Sequence, residues 1–238
     1  MDYNESAVRE RVEKRKERPV NRGGQIWRVV VLAVAAGLWS VSSGLSAGAA
    51  GKGDKVELKG KYELVNEPST HVKGKVKLVE FADFYCPHCH HFEEAGLPVL
   101  KKEFGDKLDA TMVGFPVFRQ MLPTPFEMYE QAKTMGKGEE MKKVLFRTIH
   151  TDKVKIFDKS LRAVLIKEVG LDPVAFEQGL ESGKPIKALE EGKRWGERIN
   201  LQQTPTLLLD GYVKVTDINP DNVKVVIQSI LDQEAKKR

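Results

Sequence analysis

Two cysteines, Cys86 and Cys89, with Pro87 and His88 between them, constrain this chain more than any other feature of its sequence. They are the only cysteines among 238 residues. They follow an apolar run, residues 76–84, whose β-branched and aromatic side chains predict a buried strand. The residues that follow the motif have a helical pattern, and a proline suits the first turn of a helix. The motif therefore lies where a strand turns into the N-terminus of a helix.

A thiol in that position is expected to ionise readily. Unpaired backbone N–H groups and the positive end of the helix dipole stabilise a thiolate, which is the reactive form of cysteine. A protonated His88 beside the sulfur would add positive charge. Whatever stabilises the Cys86 thiolate stabilises the reduced protein, which makes the disulfide form a stronger oxidant. A purely structural disulfide is the weaker interpretation, because closing so short a loop removes little chain entropy.

Other chemistries fit the same residues. A c-type haem attachment is one of them, because the two cysteines and His90 satisfy C-x-x-C-H. His90 would then be one axial ligand and Met112 or Met121 the other. A zinc site would combine the two cysteines with His71 and His150, although the spacing is not typical of zinc. A binding module with an idle dithiol also stays open, and loss of activity in Cys86→Ser would exclude it.

The first 51 residues differ in composition from the rest. Residues 1–28 carry eight Lys or Arg against five Asp or Glu, and residues 29–51 carry no charge. The apolar part suits a signal peptide with an A-x-A cleavage pattern at residues 47–49, and the uncharged span is also long enough for a retained membrane anchor. Both interpretations deliver the remainder of the chain across the membrane. Residues 1–28 thus carry +3 of the net charge of +5, and the remaining residues together are nearly neutral. This charge balance gives no electrostatic case for binding to nucleic acid.

The predicted elements follow the order β, β-α-β, a helical block, β-β and α, which indicates an α/β domain with a helical insertion. The first part spans residues 56–121, the inserted helical domain residues 122–200, and the second part residues 201–238. Residues 56–65 are predicted as an edge strand and residues 108–118 as another strand. Asp210-Gly211 is typical of a hairpin turn, and Gly96-Leu97-Pro98 should interrupt the helix after the cysteines.

The run FYCPHCHHFEE at residues 84–94, with a late Thr204-Pro205, resembles the DsbA family of thioredoxin-fold thiol:disulfide oxidoreductases. The resemblance covers residues 62–236. It implies a thioredoxin-like fold and a redox-active disulfide that is donated to exported proteins in the bacterial periplasm. It implies no metal or organic cofactor, and a membrane-embedded, DsbB-like partner that reoxidises the pair. A disulfide isomerase or reductase of the same fold is the alternative, because a threonine before the late proline, Thr204, resembles the isomerase branch of such proteins.

The resemblance also implies roles for residues away from the cysteines. In thioredoxin-like folds a cis proline lies against the dithiol and binds the substrate backbone, which assigns substrate binding to Thr204 and Pro205. Glu80 lies in the predicted buried strand, six residues before Cys86, where the family carries a buried acid. A lone carboxylate there is costly unless it has a partner or a role. We expect Glu80 to accept or relay the proton of Cys89; a salt bridge or a partly exposed position is the alternative.

Overall fold

The computed structural model describes residues 57–118, 121 and 123–236. The predicted basic region, the uncharged segment and Val56 lie outside the described residues. None of the described helices is long and apolar enough to cross a bilayer. The signal peptide and the membrane anchor therefore remain predictions.

A single mixed sheet carries the dithiol motif. Its strands are β1 (Tyr62–Leu64), β2 (Val76–Ala82), β3 (Leu108–Gly114), β4 (Thr206–Leu209) and β5 (Val213–Val215). The helices are α1 (Pro87–His91), α2 (Leu97–Phe104), α3 (Thr124–Thr134), α4 (Gly138–His150), α5 (Lys159–Glu168), α6 (Pro173–Glu181), α7 (Lys184–Arg198) and α8 (Pro220–Lys236). The strand order is β1-β5-β4-β2-β3, with β2 and β3 parallel and the other pairs antiparallel. The predicted α/β class is confirmed.

Two large hydrophobic cores meet at the sheet. One packs α2 and α8 against the strands, and Leu78, Leu100 and Ile227 are among its buried members. The other joins the end of β2 to helices α3–α6 and includes both cysteines, Cys86 and Cys89. The helices between β3 and β4 therefore cover the dithiol as well as one another.

The first strand is shorter than the sequence predicts. A strand over residues 56–65 is wrong, because β1 is only Tyr62–Leu64. The backbone N–H groups of Lys59 and Lys61 bond to the side chains of Ser229 and Asn222 on α8, at 2.9 and 2.7 Å. Gly60 between them has a φ of 96°, which a strand does not accommodate. Contacts with α8 have replaced the strand ladder at this edge.

The third strand also ends early. The sequence predicts a strand over residues 108–118, but β3 ends at Gly114. Phe115 N–H still bonds to the carbonyl of Ala82, at 2.8 Å. Pro116 has no N–H, and the next two N–H groups bond to the carboxylate of Asp83 instead of another strand. This departure ties the segment after β3 to the dithiol motif.

The helix after the cysteines is interrupted where the sequence predicts, by a π-helical turn at Phe92–Gly96. Leu97 N–H bonds to the carbonyl of Phe92, five residues back. Pro98 follows at the start of α2, where a missing N–H costs little. A Cβ on Gly96 would lie 2.5 Å from the ring of Phe92, so the turn requires glycine there.

The predicted hairpin turn is confirmed between β4 and β5, with positive φ at both Asp210 (47°) and Gly211 (81°). The Asp210 side chain is buried at the end of the sheet remote from the cysteines. It accepts a hydrogen bond from Lys77 N–H at 2.8 Å and lies 2.7 Å from His71 Nδ1. His71, considered as a zinc ligand, is thus paired with Asp210.

Candidate active site

The turn Asp83–Cys86 converts β2 into α1 and places Cys86 at the N-cap. Cys86 keeps an extended backbone (φ −83°, ψ 117°), and Pro87 takes the first helical position as predicted. Cys86 N–H bonds to the carbonyl of Asp83 at 3.0 Å, and His90 N–H bonds to the carbonyl of Cys86 at 3.1 Å. Both cysteines are unpaired, so the structure presents the reduced form of the site.

The Cys86 sulfur receives several hydrogen bonds that favour its anion. The Cys89 thiol makes the largest contribution, followed by the backbone N–H of Cys89, the Thr204 side chain and the backbone N–H of His88. Burial opposes them, because Cys86 is only 5% exposed, but together they lower the pKa of Cys86 to about 5. The His88 side chain is exposed. The expected backbone donors at the helix N-terminus are therefore present, together with a thiol donor that the sequence did not indicate, and the His88 imidazole is not among the groups that lower the Cys86 pKa.

The surroundings of Cys89 have the opposite effect on the pKa of its thiol. Its side chain has no exposed surface, and burial raises the pKa of its thiol far above the ordinary value. Its hydrogen bond to Cys86 raises the pKa further. The backbone N–H of Asp83 lies 3.5 Å from the Cys89 sulfur. At neutral pH the site therefore holds one thiolate and one thiol.

Thr204 and Pro205 lie against the reactive sulfur. Strand β4 runs antiparallel to β2 with Thr206 opposite Phe81, which brings the preceding residues to the end of β2 where the motif begins. The Thr204-Pro205 bond is cis, and the Thr204 carbonyl lies 3.5 Å from the Cys86 sulfur. A cavity of about 280 Å³ opens beside Pro205. An extended chain that reaches Cys86 would pass these residues.

Glu80 is buried in β2, with 1% of its surface exposed. Within the described part of the chain, neither of its carboxylate oxygens accepts a bond from a donor. Burial raises its pKa well above the ordinary 4.5, and the charge of the neighbouring Glu93 carboxyl raises it further. Glu80 therefore keeps its proton to a higher pH than an ordinary glutamate does.

A buried lysine completes this carboxyl pair. Lys142 of α4 is 3% exposed in its side chain, and its Nζ lies 2.7 Å from Glu93 and 3.1 Å from Glu139. Burial lowers the pKa of Lys142, but the two carboxylates outweigh it and raise the pKa overall. The ammonium lies against Glu93, and Glu80 is the carboxyl of the pair whose pKa is raised.

His90 and His150 stack beside the motif, with ring centroids 4.6 Å apart and planes within 7°. His150 Nε2 lies 2.8 Å from the Phe84 carbonyl, and His90 Nε2 lies 3.0 Å from Glu94. Burial lowers the pKa of His150. The haem alternative needs His90 as an iron ligand, but here the ring is engaged with protein groups. Among the described residues, no cluster of three His, Cys, Asp or Glu side chains is arranged to hold a metal ion.

The structure brings all seven predicted site residues, Glu80, Cys86, Pro87, His88, Cys89, Thr204 and Pro205, to the end of β2 and the start of α1. Sequence reasoning missed Glu93 and Lys142, and it placed Asp83 beside the site without giving it a role. Glu93 lies four residues after Cys89, which is a spacing that puts two side chains on one helix face and could have indicated it. Lys142 comes from a distant helix with an ordinary charged pattern, which carries no such signal.

A thioredoxin-like sheet with a dithiol at the N-terminus of a helix and a cis proline beside it defines a thiol–disulfide exchange protein. The chain belongs to the thioredoxin family, whose profile matches residues 71–229. It is similar to the thiol:disulfide interchange protein DsbA of Burkholderia cepacia, with 24% identity over 73% of this chain and 82% of that protein. DsbA of Pseudomonas syringae pv. tomato is also 24% identical, over 80% of this chain and 89% of that protein.

Solved structures share the fold. The oxidoreductase DsbA from Xylella fastidiosa superposes with a TM-score of 0.62 at 20% identity, over 74% of this chain and 96% of that one. The chain is thus a thiol:disulfide oxidoreductase of the DsbA type, and the recognition made from its motif is confirmed.

Proposed function

We propose that the protein works as an oxidase, which donates its Cys86–Cys89 disulfide to exported proteins. The observation that carries this proposal is the low pKa of Cys86, about 5, beside the raised pKa of Cys89. A stabilised Cys86 thiolate stabilises the reduced form, and so raises the tendency of the disulfide form to accept electrons. The same thiolate is a good leaving group from a mixed disulfide.

Two exchanges carry out the transfer. A substrate thiolate attacks the Cys86 sulfur, the Cys86–Cys89 bond breaks, and Cys89 leaves and takes up a proton. A second substrate thiolate then attacks the substrate sulfur of the mixed disulfide and expels Cys86 as a thiolate. Two electrons pass from the substrate dithiol to the pair, and the substrate gains the disulfide. Pro87 and His88 shape and flank the reactive turn, and Thr204 and Pro205 hold the substrate backbone.

Glu80 serves the Cys89 half of this reaction. The leaving Cys89 has a high pKa and needs a proton at once, and Glu80 holds one beside it in a buried site. When the pair is reoxidised, Glu80 takes the proton back. Its lack of donors and its raised pKa support this role better than the salt bridge considered from the sequence.

A redox titration against glutathione tests whether the protein acts as an oxidase or as a reductase. We expect a reduction potential clearly more positive than the roughly −270 mV of thioredoxin. Stoichiometric oxidised protein should also remove free thiols from a reduced, unfolded model protein, while Cys86→Ser should not. A potential near that of thioredoxin would assign the protein to the reductases.

The proposed setting is the bacterial periplasm, with a membrane-embedded, DsbB-like partner that reoxidises the pair. The DsbA relatives and the signal-like or anchor-like residues 29–51 support it. Fractionation of cells that express the full chain should place it outside the cytoplasm, either soluble after cleavage or attached to the inner membrane. Recovery in the cytoplasm would contradict this setting.

A further inference from the structure

Asp83 is a buried acid that no step of the exchange uses. It lies three residues before Cys86, directly after β2, and none of its surface is exposed. A carboxylate in such a place is costly unless donors surround it. Its surroundings therefore indicate what it does.

Each carboxylate oxygen of Asp83 bonds to a different segment. Oδ1 accepts a bond from Tyr85 N–H at 2.8 Å, which closes the turn that leads to Cys86. Oδ2 accepts bonds from the N–H groups of Val117 and Phe118 at 2.7 and 3.3 Å, in the segment after β3. One side chain thus joins the active-site turn to a segment more than thirty residues further along the chain.

The backbone of the same residue contacts both cysteines. The Asp83 carbonyl accepts a bond from Cys86 N–H at 3.0 Å, and the Asp83 N–H lies 3.5 Å from the Cys89 sulfur. The contacts of both cysteines therefore depend on the orientation of the Asp83 peptide groups. The carboxylate holds that orientation through its bonds on either side.

We infer that Asp83 is a positioning residue for thiol–disulfide exchange: its carboxylate fixes the turn that presents Cys86 and anchors that turn to the segment Phe115–Phe118. The inference rests on the proposed use of the dithiol as the reactive pair. Asp83 acts through the cysteines, and touches neither a substrate nor a transferred proton.

A positional role and an electrostatic role of Asp83 predict shifts of the Cys86 pKa in opposite directions when the carboxylate is removed. If Asp83 acted mainly through its negative charge, its loss would make the nearby Cys86 thiolate more stable and lower the Cys86 pKa. If Asp83 acts by position, its loss frees the turn and weakens the hydrogen bonds that Cys86 receives, which raises the Cys86 pKa. The sign of the shift distinguishes the two mechanisms.

The experiment compares Asp83→Ala and Asp83→Asn with the wild-type chain. Asparagine has one carbonyl oxygen in place of two carboxylate oxygens, so it can serve the Tyr85 side or the Val117 side but not both. Asp210→Ala is the matched control, because Asp210 is also a buried carboxylate that accepts a backbone N–H, at the other end of the sheet. The readouts are the Cys86 pKa from alkylation across pH, the rate of substrate oxidation, and the melting temperature.

We expect Asp83→Ala to raise the Cys86 pKa by about one unit, a tenfold change in the ionisation constant, and to slow exchange by a similar factor. Asp83→Asn should shift the Cys86 pKa in the same direction by less. Asp210→Ala should lower the melting temperature and leave the Cys86 pKa unchanged. An unchanged or lowered Cys86 pKa in the Asp83 variants would overturn the inference. If Asp83→Ala does not fold, the result for Asp83→Asn decides the question.

This outcome is separable from the proposed function. The wild-type reduction potential decides whether the protein is an oxidase. The effect of Asp83 is measured relative to wild type, and it would stand or fall in the same way in a reductase.

Discussion

The two sulfurs of the active-site helix belong to neighbouring regions with opposite chemistry. Cys86, at the N-cap, receives hydrogen bonds from a thiol, a side chain and backbone N–H groups, and its pKa falls to about 5. Cys89, one turn further, is sealed between the sheet and the inserted helices, and its pKa rises. The same residue type is an anion in one region and a neutral acid in the other.

The difference shows that the polarity of the pair comes from its surroundings. Each sulfur also helps to set the state of the other, because the Cys89 thiol donates to the Cys86 thiolate and that bond raises the pKa of Cys89. In the proposed reaction the substrate therefore meets a sulfur that leaves easily, while the protein interior holds the sulfur that needs a proton. Changes that exchange or equalise the two environments should reduce the oxidising power.

Removal of either sulfur should have the largest effects on disulfide transfer, and the two variants should fail at different steps. Cys86→Ser should abolish disulfide transfer, because the entry point for the substrate is gone. Cys89→Ala should still form a mixed disulfide with oxidised glutathione through Cys86, but should not release it by internal attack. Mass spectrometry of the adducts checks both, and transfer by Cys86→Ser would contradict the assigned order of attack.

The contribution of the Cys89 thiol to the Cys86 anion can be isolated with two variants. Cys89→Ala removes the donor that contributes most, so we expect the Cys86 pKa to rise by about one to two units. Cys89→Ser keeps a hydroxyl donor, so its shift should be smaller. Equal pKa values for Cys86 in alanine, serine and wild-type proteins would show that the two sulfurs are independent.

Glu80→Gln should slow exchange about tenfold near neutral pH, because Cys89 would lose its proposed proton source. It should also stabilise the protein at neutral pH, by about 1–3 kcal/mol. The folded-state pKa of Glu80 lies above the ordinary 4.5, so between these values the folded protein holds a proton that the unfolded chain has released. The free energy of unfolding therefore falls as the pH rises above 4.5, and glutamine abolishes this loss.

Denaturant titrations at several pH values check the Glu80 prediction, with the exposed Glu103→Gln as the matched control. The stability gain of Glu80→Gln should vanish below about pH 4. A gain that is independent of pH, or exchange rates equal to those of wild type, would remove Glu80 from the proton path.

The smallest effect is expected from Thr204→Val, which removes a hydroxyl while the backbone carbonyl and Pro205 remain. The Thr204 side chain is a minor donor to Cys86, so the Cys86 ionisation constant should fall about threefold. Thr206→Val is the matched control, because its hydroxyl bonds to the Gln203 carbonyl at 2.7 Å and not to sulfur. Equal Cys86 pKa values in Thr204→Val and Thr206→Val would rule out a role for the hydroxyl.

The fold and the dithiol could be predicted because their signals are local. The strand before Cys86, Pro87 at the first helical position and the Asp210-Gly211 turn each follow from a few adjacent residues. The limits of β1 and β3 could not be predicted, because bonds to α8 and to Asp83 decide where those ladders end.

The candidate site likewise has features that the local sequence predicts and features that it does not predict. The carboxyl of Glu80 was indicated by its place in a buried strand, but its pairing with Glu93 and Lys142 depends on how α4 packs against the π-helical turn after α1. The Thr204 hydrogen bond depends likewise on the register of β4 against β2. Tertiary contacts of this kind leave no pattern in either segment alone.

The most direct test of the account is the ionisation of Cys86 in the reduced, wild-type protein. Thiolate ultraviolet absorbance and the rate of alkylation should both rise with a midpoint near pH 5, with Cys86 as the alkylated residue. Cys89 should stay unmodified through neutral pH. A Cys86 midpoint near the ordinary value of 9.0, or alkylation of Cys89 first, would contradict the claim that this turn holds its outer sulfur as an anion.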